Sequence, residues 1–419
     1  MSAQHKPSGQ EEPGFFSQNP QVELYVREAL RRNPALAQAL AGYRAALQKV
    51  PQVTALPDPM VTFSQFVRSV ETRVGPQLNS LALSQKFPWF GKLSAKGQVA
   101  FKEAAAMHQV YLARQREIIS QVKAAYYDLA YVDRAQSINR QEQALLEQYE
   151  ALAQARYASG QGLQQAVIKI QAEITKLVNQ LLILQRQRTS LASRLNTLLD
   201  RQPENPVPPT LWTSVPEVSL DLDELYEMGR RHRQELKAAM ARVEAGEKKI
   251  ELAGKSFWPD ITLRAGFTNL GERSDPAALV MPPLDNGKDA YSFSIGLNLP
   301  IHRKKYRAEV IEATEGLIAR RKEYLNLQNE VEFGIRDQVI RVETLQSQID
   351  LFERILVPQA EEALRSTESA YQTGEAAALD LLDSERVLLE VRLIEARYQA
   401  DLLRALSDLE RALGTRFPR

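Results

Sequence analysis

The sequence predicts a mainly α-helical chain with a small β part, built from a duplicated unit of helix, strand, strand, long helix, turn and helix. Three observations predict it. Similar segments recur in the same order about 200 residues apart, two stretches run far beyond the length of globular helices, and short two-faced segments precede each of them.

Composition sets the first bounds. The 419 residues are 44% hydrophobic and 25% charged, and 53 Lys and Arg balance 52 Asp and Glu, so nothing draws the chain to nucleic acid. Cysteine is absent, which removes disulfides, thiolate metal sites and thiol nucleophiles. The four histidines are scattered. With no Ser/His/Asp set, phosphate loop or spaced metal ligands, the sequence predicts neither an enzyme nor a cofactor. "MSAQHKPSGQEE" has no apolar leader region, so a signal peptide is expected to be absent from this sequence. No run approaches the roughly 18 apolar residues of a membrane-spanning helix, a test that leaves a β-barrel open.

The duplication appears when the halves are aligned. "ALPDPMVTFSQF" resembles "SFWPDITLRAGF", with Asp58 on Asp260. "LALSQKFPWFGKLSAKGQVA" resembles "FSIGLNLPIHRKKYRAEVIE", with Pro88 on Pro300. "RYASGQGLQQAVIKIQAEI" resembles "AYQTGEAAALDLLDSERVL", with Tyr157 on Tyr371 and Gly160 on Gly374.

Taken in order, residues 1–19 read as a disordered segment and 20–200 as the first repeat, with strands at about 58–69 and 78–88. From Leu93 to Tyr157 there is no proline, and at ~1.5 Å per residue that helix would span roughly 95 Å. The hairpin tip lies at about 157–163. The returning helix places Leu163, Val167, Ile170, Ile174, Leu177, Leu181, Leu184, Arg188, Leu191, Leu195 and Leu198 at alternating spacings of four and three, and only Arg188 is not apolar. Such a period commits it to a coiled-coil seam. Residues 201–220 form a Pro-rich linker. The second repeat, 221–415, has strands at about 260–270 and 289–300 and a tip at about 371–377. Its first acidic residues, Asp221, Asp223 and Glu224, read as helix capping partners, and Pro358 is expected to bend its long helix.

Gly160 and Gly374 each follow a long helix, where glycine accepts the left-handed conformation that ends it. Glu375, Asp380 and Asp383 are candidates for an acidic ring, although Asp383 and Glu385 also fit the solvated outside of a coiled coil. The strands are two-faced. "YSFSIGLNL" sets Tyr291, Phe293, Ile295, Leu297 and Leu299 against Ser292, Ser294, Gly296 and Asn298, whereas "MVTFSQFVR" alternates poorly. This alternation fits a transmembrane barrel and a half-buried soluble sheet equally well. Four strands cannot close a barrel alone, so a membrane location requires oligomerisation. Three copies would supply twelve strands and gather their helices into a tube.

"PDPMVTF", "SQKFPWFGK", "YASGQGLQQAVIKIQAE" and "VPQAEEALRSTESAYQTGEAAALDLLDSERVLLE" resemble the outer-membrane efflux protein family, the TolC-like channel-tunnels, over about residues 20 to 415. "PWFGK" is similar to members paired with heavy-metal exporters of the RND type. The resemblance implies a homotrimer in the lipid of a Gram-negative outer membrane, a twelve-stranded transmembrane barrel joined to an α-helical barrel in the periplasm. It implies a passive exit duct of a tripartite efflux or secretion system, opened at its hairpin tips when a periplasmic adaptor and an inner-membrane pump dock. Tyr157, Gly160, Tyr371, Gly374, Glu375 and Asp380 would then line the aperture, and Phe293, Ile295 and Leu297 would face lipid. A carboxylate six residues after the tip glycine is common in the family; Asp380 keeps it, and Ala166 does not. A soluble periplasmic coiled-coil adaptor or scaffold is the alternative that long hairpins would also serve.

Overall fold

The structure is a computed structural model that describes residues 19–213, 218 and 220–416. Residues 1–18, read as part of a disordered segment, lie outside the described residues, as do 214–217 and 219 of the linker. The elements run α1 (Pro20–Arg32), α2 (Pro34–Thr54), β1 (Met60–Gln65), β2 (Glu71–Thr72), β3 (Gly75–Phe87), α3 (Lys92–Ala158) and α4 (Gln164–Leu198). The order then repeats as α5 (Leu222–His232), α6 (Gln234–Lys255), β4 (Ile261–Leu270), α7 (Pro276–Val280), β5 (Ala290–Leu297), α8 (Arg303–Leu351), a π turn (Phe352–Leu356), α9 (Val357–Thr373) and α10 (Ala378–Leu413). No described helix is long and apolar enough to cross a membrane.

Two compact units result. Among the described residues, one takes those up to Leu40, those within 109–237 and those from Asn326 onward, the other 41–108 and 238–325, so each draws on both halves of the sequence.

In the first unit, helix faces close on a core of Val22, Val26 and Ala29 from α1, Ile118, Val122 and Leu129 from α3, and Leu195 and Leu199 at the end of α4. Asn19 begins α1 by accepting from the backbone N–H of Gln21, and its amide nitrogen donates to the buried Tyr126 hydroxyl at 2.9 Å. The Arg188 break in the heptad has a physical reason. Its Nε donates to Asp133 Oδ1 at 2.6 Å, while the other Asp133 oxygen accepts from the backbone and hydroxyl of Thr210. The arginine thus ties the seam to the linker. Lys123 on α3 and Glu410 on α10 form a buried pair at 2.6 Å. Asp221 caps α5 by accepting from the N–H groups of Asp223 and Glu224. Pro358 produces a π turn: with no N–H to return to the preceding turn, the chain widens over Phe352–Leu356 and resumes as α9.

In the second unit the sheet order is β1-β3-β4-β5, all antiparallel, with the two-residue β2 pairing only to the start of β3. The register aligns residues in rows across the strands. Val61, Leu83, Ala265 and Phe293 form one row and Phe63, Leu81, Phe267 and Tyr291 the next, while Thr62, Ala82, Gly266 and Ser292 lie on the opposite face. Cross-strand pairing therefore places Val61 and Phe63 on the apolar face, which the weak alternation of β1 alone did not. Gln85, the polar exception there, donates to Pro57 O at 2.7 Å.

Candidate functional site

Two features carry the functional argument: the paired turns of the first unit and the two-faced sheet of the second.

Both long helices end in the same Schellman motif, in which the two residues at the helix end fold back on the last carbonyls. Gly160 has φ +78° and Gly374 φ +87°. Gly160 N–H donates to Tyr157 O and Gln161 N–H to Arg156 O; Gly374 N–H donates to Tyr371 O and Glu375 N–H to Ala370 O. Both of these bonds in the first tip have their counterparts 214 residues on. A Cβ at either glycine would meet nothing within 4 Å, so backbone conformation alone requires glycine there.

The tips are in contact. Arg156 donates to Gln372 O at 2.7 Å and lays its guanidinium over the Tyr371 ring, 4.6 Å from the centroid. Tyr371 is accordingly only 5% exposed, whereas its counterpart Tyr157 is 49% exposed. Arg156, Leu163, Tyr371 and Ala377 border a cavity of about 320 Å³ between the turns. Glu375 is exposed. Asp380 accepts from the Ala377 N–H at 3.0 Å and so starts α10, whereas Leu163 begins α4 without a side-chain cap. Asp383 is exposed beside Arg386 at 3.8 Å.

Glu385 does not solvate an outer face: it is 1% exposed, turned inward against α3. Nothing in the sequence marks Arg156, because its counterpart in the repeat is Ala370 and its partner carbonyl lies 216 residues away.

In the sheet, Phe293, Ile295 and Leu297 stand on the apolar face and are exposed, as are Val61, Phe63, Leu81 and Leu83. β1 and β5 each pair on one side only, leaving two open edges. At the root of the sheet, Asp260 accepts from Trp89 N–H at 3.0 Å and pairs with Lys92 at 2.7 Å, while Trp89 and Trp258 stack with centroids 5.1 Å apart. The "PWFGK" and "WPD" segments are thus one clasp where strands meet helices.

Among the described residues no group of His, Cys, Asp and Glu is arranged to hold a metal ion. The geometry offers walls, edges and turns.

A profile of the family described as outer membrane efflux protein matches residues 25–201 and 225–415. The outer membrane protein TolC of Vibrio cholerae is 23% identical over 349 residues, 80% of this chain and 75% of its own. Among solved structures, the outer membrane protein VceC of Vibrio cholerae superposes with a TM-score of 0.77 at 23% identity, covering 95% of this chain and 97% of VceC. The Campylobacter jejuni CmeC outer membrane channel does so at 0.75 and 15% identity, covering 94% and 86%. CusC gives 0.76 at 18% identity, covering 97% and 96%.

Proposed function

This chain belongs to the outer membrane efflux protein family, and we propose that three copies close one twelve-stranded barrel and one helical tube. It is an exit duct of the outer membrane that reaches into the periplasm, a channel protein of a family of channels. The soluble adaptor reading is not favoured. The observation that carries the trimer is the sheet itself: its exposed apolar face suits lipid, and its β1 and β5 edges would leave unpaired backbone groups in hydrocarbon unless another copy covered them. β1 of one copy pairing with β5 of the next gives a head-to-tail ring that three copies close. Light scattering in detergent should return a trimer, and unheated gels a band that collapses on boiling. A monodisperse monomer that kept its full helicity would overturn the assembly.

Export is passive in this proposal; a periplasmic adaptor and an inner-membrane RND-type pump dock at the tips and supply the energy. The similarity of "PWFGK" to members paired with heavy-metal exporters supports a metal cargo, and a deletion strain should then lose metal tolerance before dye tolerance. Tyr157, Gly160, Tyr371, Gly374, Glu375 and Asp380 are proposed as the aperture. The matching Schellman turns and the Arg156 contact support this role. The repeats 20–200 and 221–415, joined by the linker 201–220, would then each contribute one hairpin.

Gly374→Val should separate aperture from wall. A β-branched residue in the left-handed region costs about 1–2 kcal/mol or more, borne by the tip alone because nothing crowds the site. The trimer band should persist while export fails. Asp380→Asn should act otherwise: the amide oxygen can still accept from Ala377 N–H, so the turn survives and only the charge is lost. In planar bilayers its cation preference should fall; an unchanged preference and conductance would remove Asp380 from the aperture.

A further inference from the structure

Below the second tip, the first unit buries a group of acids for which neither family membership nor the tips account. Glu385 of α10 is 1% exposed and Glu142 of α3 is 8% exposed. Neither Glu385 oxygen accepts a hydrogen bond from any N–H or O–H of a neighbouring residue. What Glu385 faces is the Glu142 carboxyl, within hydrogen-bonding reach provided a proton lies between them. Tyr149, two turns along α3, donates its hydroxyl to Glu368 of α9 and stands close enough to Glu385 to interact with it, so the phenol faces both acids. Cations are few and occupied. Arg392 of α10 lies nearby and pairs with Glu361 of α9 at 2.9 Å. From α4, Glu173 is held by Arg386 at 3.1 Å and Lys176 at 2.8 Å. Further along the seam sits the half-buried Glu395. Around these groups pack Leu146, Leu177, Leu364, Leu381 and Leu388, a lining that cannot solvate two carboxylates.

We propose that Glu142 and Glu385 share at least one proton and form a proton-operated clasp between α3 and α10, holding the base of the second hairpin packed and releasing it as pH rises. Two adjacent carboxylates in an apolar seam repel and lack water, so the packed form exists only while protons are bound. Burial, with Glu385 alongside, pushes the Glu142 carboxyl up to about 9, and burial also raises Glu385. Opening exposes both groups to water, where they ionise in the ordinary carboxylate range near 4.5. Between that range and about 9, opening therefore expels protons. The clasp is tightest on the acid side, and each proton expelled multiplies the open fraction by about ten per pH unit. Glu368 lies six residues before Gly374, roughly 9 Å along the helix, so release at the clasp loosens the turn beyond it. That last step rests on the proposed role of the tips as the aperture.

Amide hydrogen exchange on the full-length trimer in detergent, with each amide's intrinsic rate divided out, tests the clasp. Between about pH 6 and about pH 8, opening of segments 139–150 and 381–391 should rise tenfold or more per unit, while the core around Tyr126 stays flat. Glu142→Gln/Glu385→Gln, which keeps the shape and removes both titrations, should abolish that slope. A flat wild type, or the same slope in the double variant, overturns the clasp. Should the double variant not assemble, infrared difference spectra of the wild type decide: a protonated-carboxyl band surviving at neutral pH and fading near pH 9 is expected, and its absence overturns the proposal. Single-channel recording then isolates the aperture. A slope in exchange with more frequent opening at high pH supports the gate, whereas a slope in exchange with pH-independent conductance leaves the clasp standing and refutes the placement of the tips.

Discussion

Lys123→Ala should cost about 3–5 kcal/mol and leave little assembled protein, because it strands the Glu410 carboxylate in a site from which water is excluded. The pair joins the middle of α3 to the end of α10, and next to it Ser120 donates to Asp408 at 2.8 Å. Neither lysine nor glutamate can reach solvent without unpacking those helices. The double replacement Lys123→Met/Glu410→Leu removes both charges at similar volume and should recover most of the loss, since a buried ion pair hardly exceeds the desolvation of its members. Thermal unfolding of detergent-solubilised trimers would measure it. Equal damage in the single and double variants would show that the lysine acts by packing rather than charge.

Ile295→Arg should prevent insertion. An arginine near the bilayer midplane of a barrel costs about 2–4 kcal/mol, and three copies each bear it. Ile295 sits across from Leu263, with Gln85 beyond it, and no acid shares that row. The control should be Ser292→Arg rather than Ser294→Arg, because Ser294 pairs directly with Arg264 and a second arginine there would add a like-charge contact unrelated to lipid. Ser292 faces Gly266, which carries no side chain for a longer one to meet. Membrane fractionation with the heat-modifiable band should show Ser292→Arg inserted and Ile295→Arg lost. Equal insertion of both would reverse the inward and outward faces.

The mainly helical fold with a small sheet was legible because its signals are local and sustained. The α4 seam repeats for five heptads, and the β5 alternation needs only one strand to be seen. What escaped depends on partners distant in the chain. β1 acquires its faces from β3, and Arg188 is explained by Asp133, 55 residues away. In the sequence Glu385 reads as solvent-facing because a single hairpin suggests a single seam, here Leu381, Ser384 and Leu388. α10 in fact buries a second face, Leu382 and Glu385, which no heptad in one helix reveals. The tip glycines announced left-handed turns, but the charge that joins them, Arg156, lacks a repeated counterpart to draw attention to it.

The π turn at Phe352–Leu356 acts as a phase shifter. Relative to an uninterrupted α-helix it takes up one extra residue, which rotates everything beyond it by roughly 100° about the axis. Leu364 and Tyr371 reach the core only with that offset, since in the unshifted phase their places would fall to Ala363 and Ala370, whose single methyl groups fill far less of it. The first repeat makes its long helix in one piece of 67 residues and needs no such correction. A duplicated chain must put two copies of one hairpin into non-identical surroundings, and here the difference is absorbed as an angle, at one proline, rather than by rewriting the hairpin that follows.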